Sequence, residues 1–298
     1  YCLSEMGKDK YSGTEMFDKF NDLLSILAMR ENPDEFIALQ EKLLKQTGDK
    51  SSSTAEKILQ REIDFYNKIQ QPEKANALIE NNLQIDDFRY QVAEKRFAEQ
   101  NFSEAKKLIK DFLLNGKNYH DRRWNELLLK IAKKEKDVPS IRSIAFAFIE
   151  QYFDKQYFVV YKSTFTPDEW SDALEHILQH YQKNSNDFRS SVANVLVAEK
   201  SAERLLQYIE KNITIQRMEE YHTAFAASYP EKTLELFRKV VDKYAVNNLG
   251  RNHYEYIAKL LKKMRKIKNG DKTVAEMISR YRTEYKNRRA MMEILNAI

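Results

Sequence analysis

One phrase recurs along this chain, and it constrains the fold more than any other feature. Set in register, "PEKANALIE" (72–80), "FSEAKKLIK" (102–110), "PDEWSDALE" (167–175), "AERLLQYIE" (202–210) and "PEKTLELFR" (230–238) share a pattern. Each opens on proline or a cap-like residue, runs through acidic or polar positions, and places an apolar or small residue fourth and apolar residues seventh and eighth. Proline at the first helical position has no donor to lose, and acidic residues in the first turn complement the helix dipole, so these are helix starts. Weaker copies begin at Pro33, Val138 and Asp271. The eight starts (33, 72, 102, 138, 167, 202, 230 and 271) advance by a mean of 34 residues, in steps of 28 to 41. Another amphipathic segment precedes each copy; in residues 88–100, Tyr90, Ala93 and Phe97 form its apolar stripe.

That step is the helix-turn-helix period of tetratricopeptide-like arrays. The expected fold is therefore all-α: an α-α superhelix, an irregular tetratricopeptide-like solenoid of about eight helix pairs over residues 14–298. About 14 to 16 helices and essentially no strand are expected, with Ala75, Ala105, Trp170, Leu205 and Thr233 in equivalent positions between helices. Six glycines, five prolines and 32% charged residues favour long helices over sheets with tight turns. Residues 1–13 read as a poorly ordered N-terminal segment, and the Gly- and Ser-rich "TGDKSSST" (47–54) as a candidate minor break.

Several function classes are set aside by composition. The single cysteine, Cys2, allows neither a disulfide framework nor a cysteine-based zinc site within the chain, and it fits a reducing cytoplasm. The longest apolar runs, "IAFAFI" (144–149) and "YFVVY" (157–161), fall far short of the roughly 20 residues a membrane-spanning helix needs, so no membrane association is expected. The text opens on Tyr1 without a charged-then-apolar leader, which reads as a piece of a longer protein. Charge is uneven. Residues 251–298 carry 13 Lys and Arg against 5 Asp and Glu, a local +8 on a chain of net charge +5, which leaves −3 for the remainder. Clustered charge of this kind steers ligands.

The basic excess centres on "NHYEYIAKLLKKMRKIKNGDK" (252–272), where Ile257, Leu260, Leu261, Met264 and Ile267 are expected to face inward and Lys259, Lys262, Lys263 and Lys266 outward. Glu255 is the single acid between 251 and 270. The final helix is expected to add Arg280, Arg282, Lys286, Arg288 and Arg289, a second basic stripe that an antiparallel neighbour would bring near the first. Lys259, Lys262, Lys263, Lys266, Arg280, Arg288 and Arg289 are the candidate nucleic-acid contacts, alternatively a polar end cap. In "YHDRRWNE" (119–126), Arg122, Arg123 and Trp124 have the composition of a partner-binding hot spot, or of a half-buried tryptophan with surface arginines. His176 and His180 in "HILQH" stand at metal-chelating spacing, yet Ile177 occupies the place where a zinc protease needs glutamate and no third ligand is evident. The aromatic stretch 151–165 reads as packing between helices rather than as a base-stacking platform. No phosphate-binding glycine loop or nucleophile elbow is present, so neither catalysis nor a small-molecule substrate is expected.

The last 50 or so residues resemble the C-terminal end of the helical region that follows the SWIM zinc finger in a family of bacterial proteins. Tyr256, Ile257, Ala258, Leu260, Leu261 and Met264, then Tyr281, Tyr285, Arg288, Arg289, Met292 and Leu295, carry that resemblance. It implies a larger protein with a zinc-binding module upstream, used to bind DNA or protein. The family's zinc motif, Cys-x-Cys and Cys-x-His, has no counterpart here, so zinc and any other cofactor are expected only outside these residues. Two functions remain open: a non-catalytic scaffold whose groove binds a protein partner, and a nucleic-acid-associated module using the basic C-terminal helices 252–298.

Overall fold

The computed structural model describes residues 15–29, 32–49, 51–114, 122–183 and 190–298. The expected poorly ordered segment 1–13, Cys2 and residues 119–121 lie outside these. The described residues are all-helical, with 17 α-helices, one 3-10 turn and no strand. None of these helices is long and apolar enough to cross a membrane. Contacts divide the chain into two compact units, 1–144 and 145–298.

The first unit holds α1 (Glu15–Ala28), α2 (Pro33–Gln46), α3 (Ser53–Lys68), α4 (Pro72–Glu80), α5 (Asp86–Ala98), α6 (Phe102–Leu114), α7 (Arg122–Glu135) and the start of α8 (Val138–Ile149). Successive helices from α1 to α7 pack on one another. Leu59, Ile63, Ala75, Ile85 and Phe88 form one buried cluster; Ala93, Ala105, Ile109, Phe112, Trp124, Leu127 and Ile131 form another. The segment 47–54 joins helices that share a core rather than separating them, because Leu39 and Leu43 of α2 pack with Ile58 of α3. Ser52 caps α3 by accepting from the Ala55 amide at 3.2 Å.

The second unit continues with α9 (Lys155–Lys162), α10 (Pro167–Lys183), α11 (Ser191–Ala198), α12 (Ala202–Lys211), α13 (Ile215–Tyr221), α14 (Pro230–Asn247), α15 (Arg251–Arg265), α16 (Gly270–Glu284) and α17 (Arg289–Asn296). A 3-10 turn, His222–Ala224, follows α13. Within this unit α11 packs on α12, α13 on α14, and α15 on α14, α16 and α17. The helix count exceeds the expected 14 to 16 because helices as short as α13, seven residues, and α17, eight residues, hold too few turns for a repeating pattern to stand out.

All eight second helices begin within one residue of the starts marked by the sequence phrase. Their fourth residues are buried at Phe36, Ala75, Ala105, Trp170, Leu205, Thr233 and Val274; Ile141 is half-buried. Thr233 is tolerated in the core because its hydroxyl donates to the Tyr229 carbonyl at 2.7 Å. Trp170 donates its indole N–H to Glu199 at 3.0 Å. The helix starts are secured locally: Thr166 and Glu169 form a capping box, with 2.9 Å from the Thr166 amide to the Glu169 carboxylate and 3.3 Å from the Glu169 amide to the Thr166 hydroxyl.

A second repeated feature lies in the turns. Gln70, Gln100, Lys136 and Lys200 each adopt left-handed backbone, φ 54° to 60°, two residues before the next helix. The following amide reaches back five residues each time: Gln71 to Tyr66 at 2.8 Å, Asn101 to Arg96 at 2.8 Å, Asp137 to Ala132 at 3.0 Å, and Ser201 to Leu196 at 2.9 Å. This is the Schellman closure, which usually recruits glycine because a Cβ strains left-handed backbone. Here glutamine and lysine accept that strain. Replacing Gln100 or Lys200 by glycine should therefore raise stability by about 0.5 kcal/mol each, the relief of about 1 kcal/mol of strain being partly offset by a more flexible unfolded chain. Chemical denaturation of each variant checks this, and a valine at either position should lower stability instead.

Candidate functional site

The basic stretch forms α15, a helix with one apolar stripe. Tyr254, Ile257, Leu260, Leu261 and Met264 are buried along it, and Ile267 is buried just beyond it, as the spacing predicts. The chain then turns sharply. Asn269 is left-handed at φ 66°, and the Gly270 amide donates to the Ile267 carbonyl at 2.8 Å. Gly270 sits so close to the end of α15 that a Cβ there would stand 1.9 Å from the Met264 carbonyl oxygen.

The cations on the outer face are less free than the local sequence suggests. Lys263 and Lys259 converge on one oxygen of Glu219 in α13, at 2.6 and 3.2 Å. The Tyr256 hydroxyl donates to the other oxygen at 2.6 Å. Burial works against the Glu219 carboxylate, but the hydrogen bonds from Lys263, Tyr256 and Lys259 outweigh it and hold its pKa down to about 2. Burial and the same carboxylate push the Tyr256 hydroxyl well up. Glu255, the nearby acid in sequence, is not the partner; Glu219 lies 44 residues from Lys263.

An unfolded glutamate titrates near about 4.3, above the folded value of Glu219, so this cluster stabilises the fold above about pH 4.5 and loses that contribution as pH falls toward 2. Glu219→Gln should flatten the acid limb of the stability profile across that window and cost about 1 to 2 kcal/mol near neutral pH. Chemical denaturation over a pH series measures both.

The second basic stripe is not on one final helix as expected, because the chain turns after Glu284: Arg280 lies in α16, Arg288 caps α17 and Arg289 opens it. Arg280 donates to Asp242 of α14 at 2.5 Å, joined on the same oxygen by the Tyr281 hydroxyl at 2.5 Å. Arg288 donates to the Ala245 carbonyl at 2.6 Å and lies over the Tyr285 ring at 4.1 Å. Arg289 is exposed. The two stripes are not brought together in one site. What the structure does assemble is a groove of about 550 Å³ between α15 and α17. Lys259, Lys262, Lys263, Lys266 and Glu255 line one side with Ala258, and Ile294, Ala297 and Ile298 line the other. Lys262 and Lys266 are exposed, and their side chains have no hydrogen-bonding or ionic partner among the described residues.

The other candidates resolve as packing. Trp124 is fully buried rather than half-buried: it stacks on Phe112 at 4.3 Å between centroids and meets Tyr90 edge-on at 5.1 Å. A side chain with no exposed surface offers nothing to a partner, so Trp124 belongs to the core because α7 turns its apolar face onto α5 and α6. Arg122 pairs with Glu126 and Arg123 with Asp87, both at 2.8 Å on the surface. His180 hydrogen-bonds the Glu150 carbonyl at 2.8 Å, and His176 lies near Phe146. No group of three His, Cys, Asp or Glu suited to a metal occurs among the described residues. In the aromatic stretch, Tyr157, Phe158 and Tyr161 are buried; Tyr157 stacks on Phe148 at 3.9 Å, and Phe158 and Tyr161 meet Trp170 edge-on.

Sequence reasoning therefore found the lysine face and missed its anchor, Glu219, and its opposite wall, Ile294, Ala297 and Ile298. No local signal marks Glu219, because a residue 44 positions from Lys263 is paired by packing and not by spacing. Compared with known proteins, the chain matches no family model and no curated protein.

Proposed function

We propose that this chain is a non-catalytic helical-repeat scaffold that binds a protein partner, working as the helical part of a SWIM zinc-finger-type protein. One observation carries the reading: eight second helices in a common register, with the fourth residue buried at seven of them. Helix pairs of this kind stack into tetratricopeptide-like superhelical arrays, whose first helices line a groove suited to extended or helical segments of other proteins.

A nucleic-acid-associated role is the second reading, favoured by the exposed Lys262, Lys266 and Arg289. The other four predicted contacts, Lys259, Lys263, Arg280 and Arg288, already serve Glu219, Asp242 and the Ala245 carbonyl. Three phosphate contacts would give a slope of log affinity against log salt of only about −3. Crosslinking the tagged chain in cells that produce it, with and without nuclease, separates the two. A protein whose recovery survives nuclease and whose crosslinks map onto this chain supports the scaffold; recovery of nucleic acid alone supports the second reading.

A further inference from the structure

The groove between α15 and α17 combines two chemistries that different ligands would use unequally. Along one side, Lys262 of α15 and Lys266 at its C-terminal cap stand one turn apart and exposed, and the charges of Lys259 and Lys263 beside them are already shared with Glu219. Neighbours at this spacing lie about 6 Å apart at Cβ, so the two free ammonium groups can each take a carboxylate from one short segment. The other side presents apolar side chains, Ile294, Ala297 and Ile298, with Ala258 among them, and the Ile298 main-chain oxygen there accepts from Arg265.

Each simple anion fails to use half of this lining. A phosphodiester backbone gains from the lysines and nothing from Ile294 or Ile298, and single-stranded bases stack on aromatic rings, none of which lines the groove. A small inorganic anion has no apolar surface to bury. A peptide with aliphatic side chains set among carboxylates uses both sides: burial of its methyl groups supplies affinity, and the lysines fix its orientation. The lining runs from Glu255 to Lys266, about 16 Å of helix at 1.5 Å per residue, which about five extended residues would span. Glu255 is the single acidic side chain of the lining and stands at one end, so it disfavours carboxylates there and sets the register of an acidic occupant.

We propose that this groove is a docking site for an acidic, aliphatic peptide segment of a partner protein. The proposal rests on the protein-binding reading above and names the chemistry of what is bound.

The test uses the 298-residue chain and fluorescence anisotropy of a labelled peptide of repeated Leu-Glu-Glu. A repeated Ser-Glu-Glu peptide of equal charge, a repeated Leu-Lys-Lys peptide, inorganic triphosphate and single-stranded DNA serve as comparisons. Leu-Glu-Glu should bind, and three changes should each weaken it at least about tenfold: serine for leucine in the peptide, Lys262→Glu with Lys266→Glu, and Ala297→Asp. All three protein positions are exposed, and circular dichroism confirms that the variants stay folded. Equal binding of Ser-Glu-Glu or triphosphate overturns the proposal in favour of a bare cationic surface, and tighter binding of DNA overturns it in favour of nucleic acid. Absence of binding by every probe also overturns it. The scaffold reading fails separately, through loss of any nuclease-resistant crosslinked protein from the wild-type chain. If such a protein is retained by the Lys262→Glu, Lys266→Glu variant, the scaffold stands and the groove assignment falls.

Discussion

Replacing Gly270 by alanine should destabilise the C-terminal helices by about 3 kcal/mol or more, at the upper end of what overpacking does. The added Cβ would lie 1.9 Å from the Met264 carbonyl oxygen and 2.8 Å from its carbon, and 3.1 Å from the Arg265 Cα. All three are backbone atoms at the end of α15, so no flexible side chain can swing aside to make room. Relief requires α15 and α16 to separate where Leu260, Leu261, Met264, Val274 and Met277 pack. Gly48→Ala provides the contrast. Its Cβ would meet nothing within 4 Å, but its φ of 69° is left-handed, and the cost there is about 1 kcal/mol of backbone strain. Denaturation monitored by circular dichroism, with proteolysis to locate the opened region, should separate the two mechanisms.

Trp124→Ala should cost about 3 to 5 kcal/mol, the range for truncating a large buried aromatic residue. The indole is fully buried among Ala93, Ala105, Ile109 and Phe112. Its Nε1 is buried with no hydrogen-bond partner, so Trp124→Phe removes volume without breaking a bond and should cost only about 1 kcal/mol. Neighbouring Arg122→Ala and Arg123→Ala, which break exposed ion pairs, should each stay below about 1 kcal/mol. This ordering of four variants by denaturation midpoint would place the motif in the core; a tryptophan that bound a partner would give the reverse, a stable alanine variant with lost binding.

The helices were legible because burial leaves a local period. Proline or a capping residue, an acidic first turn and an apolar fourth position report what one helix needs, and those signals located Pro72, Phe102, Pro167, Ala202 and Pro230 as starts. The same reasoning placed Leu260, Leu261 and Met264 inward. It failed where structure depends on distant chain. Glu219 pairs with both Lys259 and Lys263 across helices, and Asp242 pairs with Arg280, with no spacing to announce either arrangement. The turns were missed for another reason: left-handed backbone is usually signalled by glycine, and here glutamine and lysine occupy it. Gly270 drew no reading at all, because a glycine required for close approach looks, in one sequence, like any other.

The shared turns at Gln70, Gln100, Lys136 and Lys200 bear on how the chain folds as well as on what it becomes. Those at Gln70, Gln100 and Lys200 each bring together two packed helices adjacent in sequence, so the loop closed is short and its entropic penalty small. Contacts that are local in sequence speed folding, and helix pairs that form semi-independently open semi-independently as well. Amide exchange should thus be graded along the chain rather than uniform, with the fastest opening at α1, whose Leu23, Ile26 and Leu27 are each more than half exposed.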